Sequence, residues 1–134
     1  MEAIALANRL YRALAATDAP ALRELLTETF QGQLTPGLPH GLGRHYDGRE
    51  SMISHGWGGV ARYFVMAPHP DEILVSKSSL GVRGTYVGYG RSTGKPLRAV
   101  FGHFWTFDGD QFATVTQVTD TMAWHEALIP SHSP

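Results

Sequence analysis

The chain has 134 residues, a formal net charge of -1, 43% hydrophobic residues and no cysteine. That length holds one hydrophobic core rather than two, and the missing thiol excludes disulfides, thiolate nucleophiles and thiolate metal sites. The 11 Lys and Arg are spread without a run, so no basic face forms to neutralise phosphates and nucleic-acid binding is not expected.

The N-terminal stretch carries Glu2, Arg9 and Arg12 at helical spacing and has no uninterrupted apolar core. It is read as neither a signal peptide nor a membrane span, which predicts a cytoplasmic protein with no membrane partner. Residues 2–17 have the pattern of an amphipathic helix with Ile4, Ala7, Tyr11 and Leu14 on one stripe. Asp18 is an N-cap candidate for a second, shorter helix, with Pro20 in its first turn and Leu22, Leu25 and Leu26 as its apolar face. A short strand follows over 30–35. The Gly/Pro-rich stretch 36–48 is long for a connection in a small domain, so it is expected to rim a binding site.

From 49 to 64 the stripe Ile53, Trp57, Val60 and Phe64 again has helical spacing. Gly56, Gly58 and Gly59 each weaken that helix by about 1 kcal/mol relative to alanine, so it needs tertiary packing or close approach by a neighbour. Pro68 and Pro70 are read as its end. The second half is strand-rich, over 72–77, 80–90, 97–107 and 112–120, with turns at Ser78-Ser79, 92–95 and Asp108-Gly109. Glycines such as Gly81, Gly84, Gly88 or Gly102 would supply bulges and curvature. A short helix over 121–128 closes a single domain, 1–128, and 129–134 is read as a loose tail.

This order predicts an α+β fold in which helices cover one face of a curved antiparallel sheet. A curved sheet under a helical lid makes a cone with an interior, and small-molecule pockets form in such mouths. The hairpin of 98–120 lies at its centre. Side chains alternate along a strand, so Ala99, Phe101, His103, Trp105 and Phe107 share one face, and Asp120 ends the second strand. A histidine among aromatics is either structural, with a satisfied ring, or a proton-transfer group in an apolar pocket. Tyr11 and Trp57 would line the opposite wall, or pack against the sheet as core. His40, His45 and His55 lack metal-site spacing, and no metal is expected.

Several pieces together resemble the SnoaL-like proteins, relatives of ketosteroid isomerase in the nuclear-transport-factor-2-like (NTF2-like) superfamily. They are Ala13-Leu14 with Asp18, Gly37-Leu38-Pro39 through Tyr46-Asp47-Gly48, and Gly81-Val82-Arg83-Gly84-Thr85-Tyr86, followed by Thr93-Gly94-Lys95 and His103 through Thr121. The resemblance implies a cone-shaped α+β barrel with three N-terminal helices over the sheet, and a homodimer formed through that sheet. It also implies cofactor-independent acid-base chemistry, of isomerase, cyclase or lyase type, on a small hydrophobic carbonyl or polyketide-like compound. A non-catalytic pocket for a small hydrophobic molecule is the other reading, because one fold hosts many functions.

Against ketosteroid isomerase itself the site residues depart: Leu34-Thr35-Pro36 stands where its aspartate would be, Gly102 where its second acid would be, and Leu10, one step from Tyr11, where its tyrosine would be. The family's polyketide cyclases use a histidine and an aspartate. His103 matches the first, and the slot of the second falls on Gln117 or Asp120, which have opposite parity. The resemblance thus gives His103 and Asp120 as catalytic candidates and Tyr11, Trp57, Phe101, Trp105 and Gln117 as ligand-binding candidates. Epoxide hydrolysis by an Asp-Arg-Asp trio is a minor reading, with Arg98 and Asp120 present but Val100 in a position where the trio needs an acid.

Overall fold

The structure, a computed structural model, describes residues 2–131. The tail expected over 129–134 is therefore described only to Ser131, and 132–134 lie outside the described residues.

Helix α1 spans Ala3–Ala16, opened by the Glu2 carboxylate, which accepts from the Ile4 N–H at 3.2 Å. Its buried face is Leu6, Ala7, Leu10, Tyr11 and Ala13. The chain turns at Thr17, in the left-handed conformation at φ 48, and Asp18 caps α2 (Ala19–Leu25) by accepting from the Ala21 N–H at 3.2 Å. An oxygen there satisfies an N–H that the helix itself leaves unpaired.

Strand β1 runs over Leu26–Gln33, earlier than the sequence pattern suggested, and β2 (His45–Asp47) pairs with it antiparallel. A third helical run follows as α3 (Arg49–Ser51), a π-helical turn (Met52–Trp57) and α4 (Gly58–Tyr63). Its glycines serve close approach: a Cβ on Gly56 would sit 2.6 Å from Met52 Cε, and one on Gly59 would sit 2.7 Å from Leu42 Cδ2.

The run ends at Tyr63 because the backbone becomes extended at Phe64, not because of a proline. Strand β3 occupies Phe64–Ser76, so Pro68 and Pro70 lie inside a strand. It is an edge strand, where the missing N–H of proline is tolerated. The antiparallel meander continues through β4 (Ser79–Gly90), β5 (Pro96–Asp108) and β6 (Gln111–Thr119), and α5 (Thr121–Leu128) follows. The β5–β6 turn is Gly109-Asp110, one residue later than expected, because Asp108 pairs with Gln111.

The six strands lie in the order β2-β1-β6-β5-β4-β3 as one curved sheet that does not close. It is mixed rather than purely antiparallel, because β1 joins β6 in parallel. Register shifts fall between Leu26 and Gln31, Pro70 and Glu72, and Thr106 and Phe107. Of the glycines expected at bulges, only Gly84 borders one, opposite Pro70.

The concave face of β5 is the one the alternation predicted: Ala99, Phe101, His103 and Trp105 are buried, while Val100 and Phe104 on the other face are exposed. The core forms between this face and the helices, and Trp124 of α5 closes one end against Phe64 and Tyr86.

Candidate functional site

The centre of the site is a consequence of register. In the meander Val82 lies opposite His103, and His103 opposite Gln117, so these three inward side chains form one row across the sheet. In the next row Gly84 faces Phe101. A Cβ on Gly84 would stand 2.6 Å from Phe101 Cζ, so glycine leaves the volume that the Phe101 ring fills. That ring stacks on His103 with centroids 4.0 Å apart and an interplanar angle of 17°.

His103 is 4% exposed, and tyrosines occupy both of its ring nitrogens. Tyr11 Oη lies 2.6 Å from Nδ1, and Tyr86 Oη lies 2.6 Å from Nε2. Tyr11 Oη also accepts from the Trp105 indole N–H at 3.0 Å. Tyr86 Oη accepts from the Gln117 side-chain amide at 2.8 Å. The orientation of that amide is fixed from its far side, because Gln117 Oε1 accepts from the Thr35 backbone N–H at 3.1 Å, which only an oxygen can do. A continuous polar chain therefore crosses the core: Trp105, Tyr11, His103, Tyr86, Gln117, Thr35.

Burial sets the charge state of this chain. Desolvation pushes the His103 pKa down from 6.5 to about 3, so the ring is neutral at ordinary pH. The same burial pushes the Tyr11 and Tyr86 hydroxyls well above the ordinary phenol range, only partly offset by the Trp105 and Gln117 hydrogen bonds.

Beside the chain lies a cavity of about 400 Å³ between the concave sheet and the helices. Tyr86, His103 and Gln117 form its polar corner. Leu22, Ile53, Trp57, Val60, Met66 and Trp124 are among its apolar walls, and the exposed Ala15 and Thr17 stand at its mouth. Among the described residues, no Asp or Glu lines it.

The sequence-derived candidates thus divide. His103, Gln117 and Trp57 reach the cavity. Tyr11, Phe101 and Trp105 do not line it; they pack behind, around the His103 ring. Asp120 is not brought to His103. It is exposed at the N-terminal cap of α5, and the residue opposite His103 is Gln117. The opposite parity of positions 117 and 120 decided this, since no bulge intervenes between them. Arg98 and Asp120 are both exposed and outside the cavity, so no Asp-Arg-Asp arrangement forms there.

The stretch 36–48 does not rim this cavity. Its residues His40, Gly41, Leu42, Arg44 and Tyr46 line a second, more polar hollow that also borders α4, where the His40 ring stacks on Tyr63 at 3.8 Å. The residue that sequence reading missed is Tyr86. The signal was present, because position 86 shares parity with Leu80 and Val82, but its meeting with His103 depends on the β4–β5 register. Among the described residues, no group of three or more His, Cys, Asp and Glu side chains converges as a metal site, and no helix is long and apolar enough to cross a membrane.

No protein-family model matches the chain, and no curated protein matches it. Solved structures do. An NTF2-like protein of unknown function from Burkholderia pseudomallei superposes with a TM-score of 0.84 at 23% identity, covering 93% of this chain and 95% of that one. IdmH from Streptomyces antibioticus, described as a candidate polyketide cyclase, gives 0.81 at 18% identity, covering 96% and 99%. TerC, co-crystallized with polyporic acid, gives 0.81 at 21% identity, covering 92% and 95%. At these identities the likeness concerns the backbone, and the chain has the NTF2-like fold shared by SnoaL-like polyketide cyclases and proteins with the ketosteroid isomerase fold.

Proposed function

We propose that the chain binds a small, largely apolar carbonyl compound in the cavity between the sheet and the helices. The observation that carries this reading is the cavity's composition: apolar and aromatic walls with a buried polar corner made of Tyr86, His103 and Gln117, its other polar lining residues, Thr17 and Arg91, being exposed. Apolar walls supply affinity through burial, roughly 25 cal/mol per Å² of apolar surface removed from water, and one corner of hydrogen-bonding groups orients the ligand. The corner groups are neutral, and the one charged lining residue, Arg91, is exposed and donates to the Ala61 carbonyl at 2.8 Å, so the corner favours a neutral ligand: an ion moved there would lose its hydration without a counter-charge beside it.

The test is a titration of tryptophan emission with aromatic ketones, since Trp57 and Trp124 line the cavity. A saturable change is expected. Ala15→Trp, placed at the exposed mouth away from the core, should weaken that binding at least tenfold while leaving the unfolding temperature unchanged. Equal binding by the wild type and this variant would end the reading.

A second reading is cofactor-independent acid-base catalysis, of isomerase, cyclase or lyase type, on the same class of compound. It is favoured by the ionisable chain at the polar corner. With no carboxylate in the lining and His103 neutral, the site holds no strong base, so the substrates that suit it are those already enolised, such as 1,3-dicarbonyl or polyketide-like chains. In an aldol closure the enol carbon bonds to the electrophilic carbonyl carbon, whose oxygen gains a proton as the enol oxygen gives one up. A donor on that carbonyl is the main requirement. Conversion of a linear 1,3-diketone to its cyclised product, faster with the protein than without it, would support catalysis; binding without turnover leaves the first reading.

A further inference from the structure

Each hydroxyl and each ring nitrogen in the Trp105–Tyr11–His103–Tyr86–Gln117 chain has a fixed capacity to give or accept a hydrogen, and those capacities determine where every proton sits. Trp105 can only donate, and it donates to Tyr11 Oη at 3.0 Å. Gln117 must donate to Tyr86 Oη, because its oxygen is taken by the Thr35 backbone N–H. The neutral His103 ring carries one hydrogen, on Nδ1 or on Nε2.

If the hydrogen were on Nδ1, it would point at Tyr11 Oη, which already accepts from Trp105. The Tyr11 hydroxyl hydrogen would then have no acceptor, among the described residues, in a part of the core that the cavity does not reach. A buried orphan donor of that kind disfavours this tautomer by roughly tenfold or more. If the hydrogen is on Nε2, Tyr11 donates to Nδ1, and Nε2 donates to Tyr86 Oη. Every group away from the cavity is then satisfied. Tyr86 Oη accepts twice, from His103 and from Gln117, and its own hydrogen is left over, on a residue that lines the cavity.

Resting on the cavity reading above, we infer that His103 is fixed as the Nε2–H tautomer and that the Tyr86 hydroxyl is the site's hydrogen-bond donor, selecting ligands that present a carbonyl oxygen. Tyr86 is the group that touches the ligand, and His103 is a positioning residue that acts through it. The direction of the chain also strengthens the donor, because a hydroxyl that accepts two hydrogen bonds is a better donor for its remaining hydrogen. A ligand offering only donors to this corner is disfavoured, since both lone pairs of Tyr86 Oη are occupied.

Two measurements test this. The first needs no ligand: a long-range ¹H–¹⁵N correlation spectrum of the uniformly labelled protein, read at the His103 ring from about pH 5 to about pH 8. The pattern of the neutral Nε2–H tautomer is expected throughout. An Nδ1–H pattern, or an imidazolium in that range, overturns the inference whatever the cavity binds.

The second compares matched pairs, acetophenone with ethylbenzene, benzophenone with diphenylmethane and fluorenone with fluorene, on the wild type and on Tyr86→Phe, with circular dichroism confirming that the variant is folded. Tyr86→Phe should weaken ketone binding roughly tenfold, as for the loss of one hydrogen bond, and leave hydrocarbon binding within about twofold. The infrared carbonyl stretch of the bound ketone should be lowered in the wild type and return toward its apolar-solvent position in the variant. Hydrocarbon and ketone affinities that fall together, or a carbonyl stretch unchanged by the substitution, overturn the assignment of Tyr86 while the cavity reading stands. Binding of none of the six compounds overturns both.

Discussion

Protonating His103 inside this core would place a charge beside two neutral hydroxyls and stacked aromatic rings, and the cost appears as a dependence of stability on pH. The folded ring titrates near pH 3 and an unfolded histidine near 6.5. Between those values the unfolded chain binds the extra proton, so stability is complete above about pH 6.5 and falls as pH drops toward about 3, by on the order of 4 kcal/mol. Urea unfolding at neutral pH and near pH 4 should show this loss. His103→Leu should be less stable at neutral pH, because two tyrosines lose a partner, but should show a shallower acid slope. At the alkaline end the sign reverses: the folded Tyr11 and Tyr86 hydroxyls ionise later than unfolded ones, so stability falls as pH rises above about 10. At this scale the sequence revealed half of the site. The aromatic setting of His103 follows from alternation along a single strand. Its partners do not, because Tyr11 and Tyr86 lie 92 and 17 positions away and only the packed register brings them to the ring.

Elements with chemical punctuation were the legible ones. Asp18 followed by Pro20 marked the start of α2, and Asp18→Ala should cost about 1 kcal/mol in chemical denaturation. The four-strand meander and α5 were likewise readable, from alternation and from turn residues. Beginnings and ends set by tertiary partners were not. Pro68 and Pro70 are normally breakers, and nothing local announces that the strand carrying them is an edge with one side unpaired. The early start of β1 at Leu26 depends in the same way on its partners β2 and β6. Strand pairing also makes Gly84 sensitive. A Cβ there would clash with the His69 carbonyl oxygen and stand 2.6 Å from Phe101 Cζ, so Gly84→Ala must part β3 from β4 or displace Phe101 from the histidine. A loss of about 1–3 kcal/mol is expected, as for other overpacked cores, together with a changed His103 ring signal in the NMR spectrum.

Across the whole molecule, the sheet has one face turned to the cavity and another that carries Val87, Tyr89, Val100, Phe104 and Val118, each exposed. Exposed apolar side chains gathered on one face mark interaction sites, and we propose that this face pairs two copies of the chain through their sheets. The expected result is a dimer in sedimentation velocity that becomes a monomer in Val100→Lys/Phe104→Lys, with the aryl-ketone titration unchanged because neither residue lines the cavity.

The parallel ladder between β1 and β6 bears on how the chain is made as well as on how it is arranged. Gly32 pairs with Val115, so the first strand leaves the ribosome long before the strand that must flank it. At about 5–20 residues per second, that interval lasts several seconds, during which the β1–β2 pair stays unconnected to the growing β3–β5 meander. The Tyr11–His103 contact spans the same gap. A nascent chain halted before β6 would hold the helical lid and the β3–β5 meander but not the strand that joins β1 to that meander, which makes it a natural client for a holdase chaperone until the last hairpin is released.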